Sequence, residues 1–267
     1  MTTISLRNGH WEERASLEPT HEVLTGQGIF ESILVTDCVP QFLDLHLSRL
    51  GNSSEILGIA KPDSREVTAG INQLIKLHRG ALGRLRITLY GGVPQPQLML
   101  SLVGFTPWPA HVRVNISPWT RNENSVIAGA KSASYAENAV ALSWAKRNNF
   151  DETLFFNIAG QIAEAATSNI VIVVDGEAIT PPLSSGCLPG ITRQVLLDSG
   201  AMREISIDAA LLEAASAAAL LSSTRGVQPI NVLENRELDS SHETLRQLAV
   251  VYEDRVTRDK ENWAKLP

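Results

Sequence analysis

The chain has 267 residues, 43% of them hydrophobic and 19% charged, with a net charge of -6 at pH 7. That composition supports a buried core in one large or two small domains. It speaks against a nucleic-acid-binding surface, which requires clustered Lys and Arg. Cys38 and Cys187 match no metal spacing, and neither do His10, His21, His78, His111 and His242. The expectation is therefore a cytoplasmic protein with reduced thiols and no metal site. The opening stretch MTTISLRNGHWEERASLEP has no apolar segment of secretory type, and no apolar run reaches membrane-spanning length, ASAAALLSS being the best.

In chain order, ISLRNGHWEE reads as a hairpin turning at Asn8-Gly9. IFESILVTDCVPQFLDL gives two strands around a turn near Asp37 to Pro40. HLSRLGNSSEILGI and REVTAGINQLIKLH repeat apolar residues at helical spacing. GRLRITLYGG and QPQLMLSLVGF alternate as a strand pair. Pro107 and Pro109 mark a linker, because proline removes a backbone donor. The domain boundary is placed there, giving residues 1–107 and 108–267.

The second half opens with the strand VRVNIS, followed by a helix over roughly residues 135–148. ETLFFNIAGQIAEA and NIVIVVDGEAIT read as hairpins turning at Ala159-Gly160 and Asp175-Gly176. A helix follows Gly190, then the strand REISI, an Ala-rich helix entering LLSSTRGVQPINVL, and a last amphipathic helix over about 242–256. This mixed, hairpin-rich order points to two α+β domains rather than a doubly wound sheet.

Four segments carry candidate chemistry. LSSGCLPGITRQVLL places bare backbone where a helix starts. Helix-start N–H groups lack intrahelical partners and the dipole adds positive charge, so Gly190, Ile191 and Thr192 suit a phosphate. An ordinary loop punctuated by Pro and Gly reads the same way. Lys131 sits among small residues just before a helix, with Tyr135 one turn onward. It is either a partly buried nucleophile or base, or a solvated lysine beside a core tyrosine. Glu164 at a strand end is either a carboxylate with a cationic partner or an exposed acid. Arg49, three residues after His46, is either a phosphate clamp or a surface helix charge.

The segments GQGIFES, HLSRL…ILGI, KSASYAEN, EAATSNIVIV…TPPLSSGCLPGITR and SSTRGVQPI, in that order, resemble the fold-type IV pyridoxal-phosphate enzymes, or class IV aminotransferases. These include branched-chain and D-amino acid aminotransferases, (R)-selective amine transaminases and 4-amino-4-deoxychorismate lyases. The resemblance implies a two-domain α+β fold with the cofactor between the domains, the lysine being carried by the larger C-terminal one. It implies that Lys131 forms the Schiff base with pyridoxal 5′-phosphate, that Glu164 faces the pyridine nitrogen, and that Tyr135 lies near the ring's phenolic oxygen. Arg49, Gly190, Ile191, Thr192 and Ser223 would seat the phosphate, and Phe30 and Ser32 would line the substrate pocket.

A homodimer and the absence of nucleic-acid or membrane partners are further expectations. The stretch GGVPQPQ lacks the Arg-x-His pair of bacterial D-amino acid aminotransferases. Arg225, beside Thr224, is therefore expected to bind the substrate carboxylate. The activity expected is transfer of an amino group between an amino acid or amine and a 2-oxo acid. The alternative is a lyase releasing pyruvate and 4-aminobenzoate from aminodeoxychorismate, a step of folate synthesis.

Overall fold

The computed structural model describes residues 2–7, 10–13, 17–78, 80–92 and 96–263, so the turn expected at Asn8-Gly9 and residues 93–95 of the GGVPQPQ stretch lie outside the described residues. The chain groups into two compact units. One holds Met1–Thr106, Ala130–Ser134 and Asn262–Pro267; the other holds Pro107–Gly129 and Tyr135–Glu261.

The first unit contains β1 (Thr2–Arg7), β2 (His10–Glu13), α1 (His21–Thr25), β3 (Gly28–Thr36), β4 (Val39–Pro40), α2 (Leu43–Leu57), α3 (Ser64–Leu77), β5 (Leu82–Tyr90) and β6 (Gln97–Gly104). Its described strands form one antiparallel sheet in the order β2-β1-β6-β5-β3-β4. The alternation of β3 sends Ile29, Ile33 and Val35 into a core shared with Leu85, Ile87 and Leu89 of β5. The core closes against Val67, Ile71 and Leu74, which recur at helical spacing on α3. Asp63 caps α3 by accepting from the Arg65 N–H at 2.8 Å. Asp37 and Cys38, at φ 53° and 65°, make the tight turn between β3 and β4.

Strand β4 is only two residues long and pairs with Val35 and Thr36, so it leaves the outer edge of Gly28–Phe30 uncovered. Residues 131–133 fill that edge. The Phe30 N–H donates to the Lys131 carbonyl at 2.9 Å, and the Ala133 N–H donates to the Gly28 carbonyl at 2.7 Å. By its contacts the lysine's segment, Ala130–Ser134, groups with the first unit, its backbone satisfying donors and acceptors on that strand edge.

The second unit contains β7 (Val112–Ile116), α4 (Ala136–Arg147), β8 (Glu152–Phe156), β9 (Ile162–Ala165), β10 (Asn169–Val174), β11 (Glu177–Thr180), α5 (Ile191–Asp198), β12 (Arg203–Glu204), α6 (Ala209–Glu213), β13 (Ala217–Ser222), β14 (Gly226–Leu233), β15 (Arg236–Glu237) and α7 (Glu243–Trp263) as far as Glu261. The sheet runs β12-β11-β10-β13-β14-β7-β8-β9, with β15 beside β14. The β8–β9 and β10–β11 hairpins form as the turn residues predict, with Gly160 and Gly176 at φ 76° and 79°.

The Ala-rich segment does not. Only Ala209–Glu213 is helical, and Ala217–Ser222 is a strand between β10 and β14. Helix propensity favours alanine, but a central strand buried on both faces takes small apolar residues, and tertiary context decides. The expected strand REISI shrinks to Arg203–Glu204, while the last helix runs on to Trp263. No helix among the described residues is long and apolar enough to cross a membrane.

Candidate functional site

In the first unit the geometry converges on Phe30. Its ring lies under the Lys131 Nζ at 4.6 Å and under the Arg86 guanidinium at 3.8 Å, measured to the ring centroid. Two cations therefore share one aromatic ring, each favoured by the ring's quadrupole. The Lys131 backbone is fixed twice, by its carbonyl on β3 and by its N–H donating to Ser53 Oγ at 3.1 Å. The lysine stem thus starts from rigid backbone. Ser32 sits on the same strand face as Phe30 by the two-residue period, and Arg86 is its register partner on β5.

Arg49 is buried rather than a surface helix charge. Its Nε and Nη2 donate to Glu31 Oε1 and Oε2 at 2.9 and 2.6 Å, and His46 Nδ1 lies 2.7 Å from Glu31 Oε2. Burial pushes the Glu31 carboxyl up, but the Arg49 charge and the Arg49 and His46 hydrogen bonds outweigh it and hold it at about 2. Burial lowers His46, and the nearby Arg49 and Lys131 charges add to that, against the pull of Glu31.

In the second unit, α5 starts at Gly190 without a side-chain cap. A Cβ on Gly190 would stand 1.9 Å from Asn169 Oδ1, so only glycine lets this backbone approach so closely. Asn169 Nδ2 donates to the Leu188 carbonyl at 2.9 Å and to Glu164 Oε2 at 3.3 Å, and the Leu188 N–H donates to the same Glu164 oxygen at 3.0 Å. The helix start and the Glu164 carboxylate are therefore braced by one asparagine. Ile191 and Thr192 are 2% and 1% exposed, so the first turn of α5 is interior backbone. The Tyr135 hydroxyl donates to the Ala166 carbonyl at 2.8 Å, and Asn138 Nδ2 donates to the same carbonyl at 2.6 Å. Ser223, Thr224 and Arg225 form the turn from β13 into β14.

Arg225, expected to hold a substrate carboxylate, has other partners. Its guanidinium stacks on Trp108 at 3.8 Å, donates to Gln228 Oε1, and places Nη2 3.6 Å from Glu152 Oε2. Its side chain is 4% exposed. These contacts all lie within its own unit.

Sequence reasoning passed over Glu31, Asn169, Arg86 and Glu152. The signal for Glu31 was present: it occupies an inward position of β3 between Ile29 and Ile33, where a carboxylate needs a cation. Arg86 carries no such signal, because its partner ring lies 56 positions away in sequence and only strand register brings them together (86 − 30).

The chain is 28% identical over 197 residues to a bifunctional aminodeoxychorismate lyase/D-amino acid transaminase of Mycobacterium tuberculosis, covering 65% of this chain and 68% of that protein. It is 27% identical over 210 residues to a branched-chain-amino-acid aminotransferase of Pseudomonas aeruginosa, covering 70% and 68% respectively. Its fold matches a fold IV transaminase of Curtobacterium pusillum with a TM-score of 0.84 at 25% identity, over 98% of this chain and 99% of that one. The sequence profile of amino-transferase class IV matches residues 28–233, from the start of β3 to the end of β14, and the chain is an enzyme of the class IV aminotransferase family.

Proposed function

We propose that this enzyme holds pyridoxal 5′-phosphate through Lys131 and moves an amino group between an amino acid or amine and a 2-oxo acid. The carrying observation is Lys131 itself, fixed at both backbone polar groups with its amine over Phe30 beside Arg86. The residues present fit the cofactor. The uncapped, glycine-led start of α5 suits a phosphate dianion, and a braced carboxylate suits a protonated ring nitrogen.

When bound, the cofactor supplies an aldehyde that condenses with amines and a ring that accepts electrons from the adjacent carbon. Lys131 Nζ would hold the aldehyde and, once released by an incoming amine, move the proton at the substrate's reacting carbon. Glu164 would hold a proton on the ring nitrogen by its negative charge. The Ile191 and Thr192 N–H groups and Ser223 would bind the phosphate, with Arg49, oriented by Glu31, adding positive charge. Tyr135 would meet the ring's phenolic oxygen. Phe30 and Ser32 would line the substrate pocket, and Thr224 would border it from the β13–β14 turn. Arg86, half-buried on the same ring as Lys131, would orient an acidic group of the substrate.

The bifunctional Mycobacterium tuberculosis relative keeps a second reading in view: lysis of aminodeoxychorismate to pyruvate and 4-aminobenzoate. One experiment separates the two. An amino donor alone, with no acceptor, should change the visible absorbance of the bound cofactor, and Lys131→Ala should abolish that change while still retaining cofactor. Release of 4-aminobenzoate without any donor-driven change would select the lyase. A homodimer in the cytoplasm completes the proposal, and sedimentation of the loaded enzyme tests the dimer.

A further inference from the structure

Several chain segments meet at the guanidinium of Arg225. Its Nη1 donates to Gln228 Oε1, whose amide in turn donates to the Pro109 carbonyl at 2.6 Å. Its Nη2 donates to Thr167 Oγ1 at 3.4 Å, and the Thr167 hydroxyl donates to Glu152. Glu152 also accepts from the Thr153 N–H at 3.1 Å. The Trp108 ring lies against Arg225, and its Nε1 donates to Thr224 Oγ1 at 3.3 Å, so the indole grips two successive residues of one turn.

We propose that Arg225, Thr167 and Glu152 form a positioning clamp that sets two turns at once: 222–226, which carries Ser223 and Thr224, and 166–168. The second turn matters because Ala166 precedes Thr167, and its carbonyl is the anchor of the Tyr135 hydroxyl. Fixing Thr167 therefore fixes Tyr135. The inference rests on the proposed cofactor reading, in which Ser223 and Tyr135 touch the phosphate and the ring.

A purely stabilising role fits the clamp poorly. Burial raises the Glu152 carboxyl and lowers Arg225, in each case against the pull of the partner's charge, so both groups are less willing to be charged here than in water. Buried pairs of this kind are often replaced by neutral residues with little loss of stability. What the polar circuit supplies is direction: each bond has one donor and one acceptor at a set place.

The test uses the loaded enzyme and two variants, Glu152→Gln/Arg225→Met and Thr167→Val, the second removing only the hydroxyl that joins the pair. Melting temperature, kcat, KM and the pH titration of the cofactor's absorbance are measured. Both variants should stay folded, shift the titration midpoint, and lose turnover by up to about 100-fold, as a misplacement of about 1 Å does. A lowered melting temperature with unchanged kcat and titration in both variants would reduce the clamp to scaffolding and overturn the proposal. Wild-type protein that takes up no cofactor would overturn the cofactor reading first, and the clamp's role with it.

Discussion

In the first unit Glu31 meets Arg49 through hydrogen bonds of 2.9 and 2.6 Å; in the second, Glu152 meets Arg225 only at 3.6 Å, with its hydrogen bonds going to Thr167 and Thr153. Both carboxylates are 0% exposed. Yet Glu31 is held at about 2 and Glu152 is raised. Burial is the same in kind at both sites, so it cannot decide the sign. What differs most is engagement of the guanidinium: two direct charged bonds, joined by the His46 contact, overcome desolvation, and a looser approach does not. The first pair is built to stay ionised. In the second, ionisation is opposed by burial, and its hydrogen-bond geometry is its more telling property.

The largest effect should come from breaking the tight pair. Glu31→Ala leaves Arg49 buried without its carboxylate and should cost about 3–5 kcal/mol, read as a drop in the denaturation midpoint. A loss no greater than that of an exposed charge would place the pair outside the core. The next test is acid titration of stability. Glu31 has a folded value below its unfolded one, so its contribution is present above about 4.5 and lost as pH falls towards about 2. That contribution is on the order of 3 kcal/mol, and Glu31→Gln should remove this slope.

Smallest should be the effect of Glu152→Gln/Arg225→Met. A carboxyl raised on folding costs stability as pH rises from about 4.5 through its folded value, so the neutral variant sheds a penalty at neutral pH. Its net change at pH 7 should lie within about 1 kcal/mol of zero. A loss as large as that of Glu31→Ala would erase the distinction between the two pairs.

The same contrast shows what could be seen in advance. Arg49 and Arg225 are both legible in the sequence as arginines near site segments, and both attracted a ligand role. Arg49 kept one as a proposal, because its partner orients it. Around Arg225, Trp108, Gln228 and Glu152 converge from positions 117, 3 and 73 residues away in the chain (225 − 108, 228 − 225, 225 − 152). Arg86 received no role and emerged only through the register of β3 against β5.

By itself the sequence determined the local events: the hairpins at Gly160 and Gly176, the α2 and α3 helices, the glycine-led start of α5, and the ordered motif set that marks the family. Each depends on a few neighbouring residues, through turn geometry, periodicity or the absence of a Cβ. Tertiary structure alone decided which unit Lys131 groups with, that Ala217–Ser222 is a strand, and which buried carboxyl is lowered and which raised. Those outcomes depend on an uncovered strand edge, on burial of both sheet faces, and on a difference of up to 1.0 Å between side-chain contacts (3.6 − 2.6), none of which a linear pattern records.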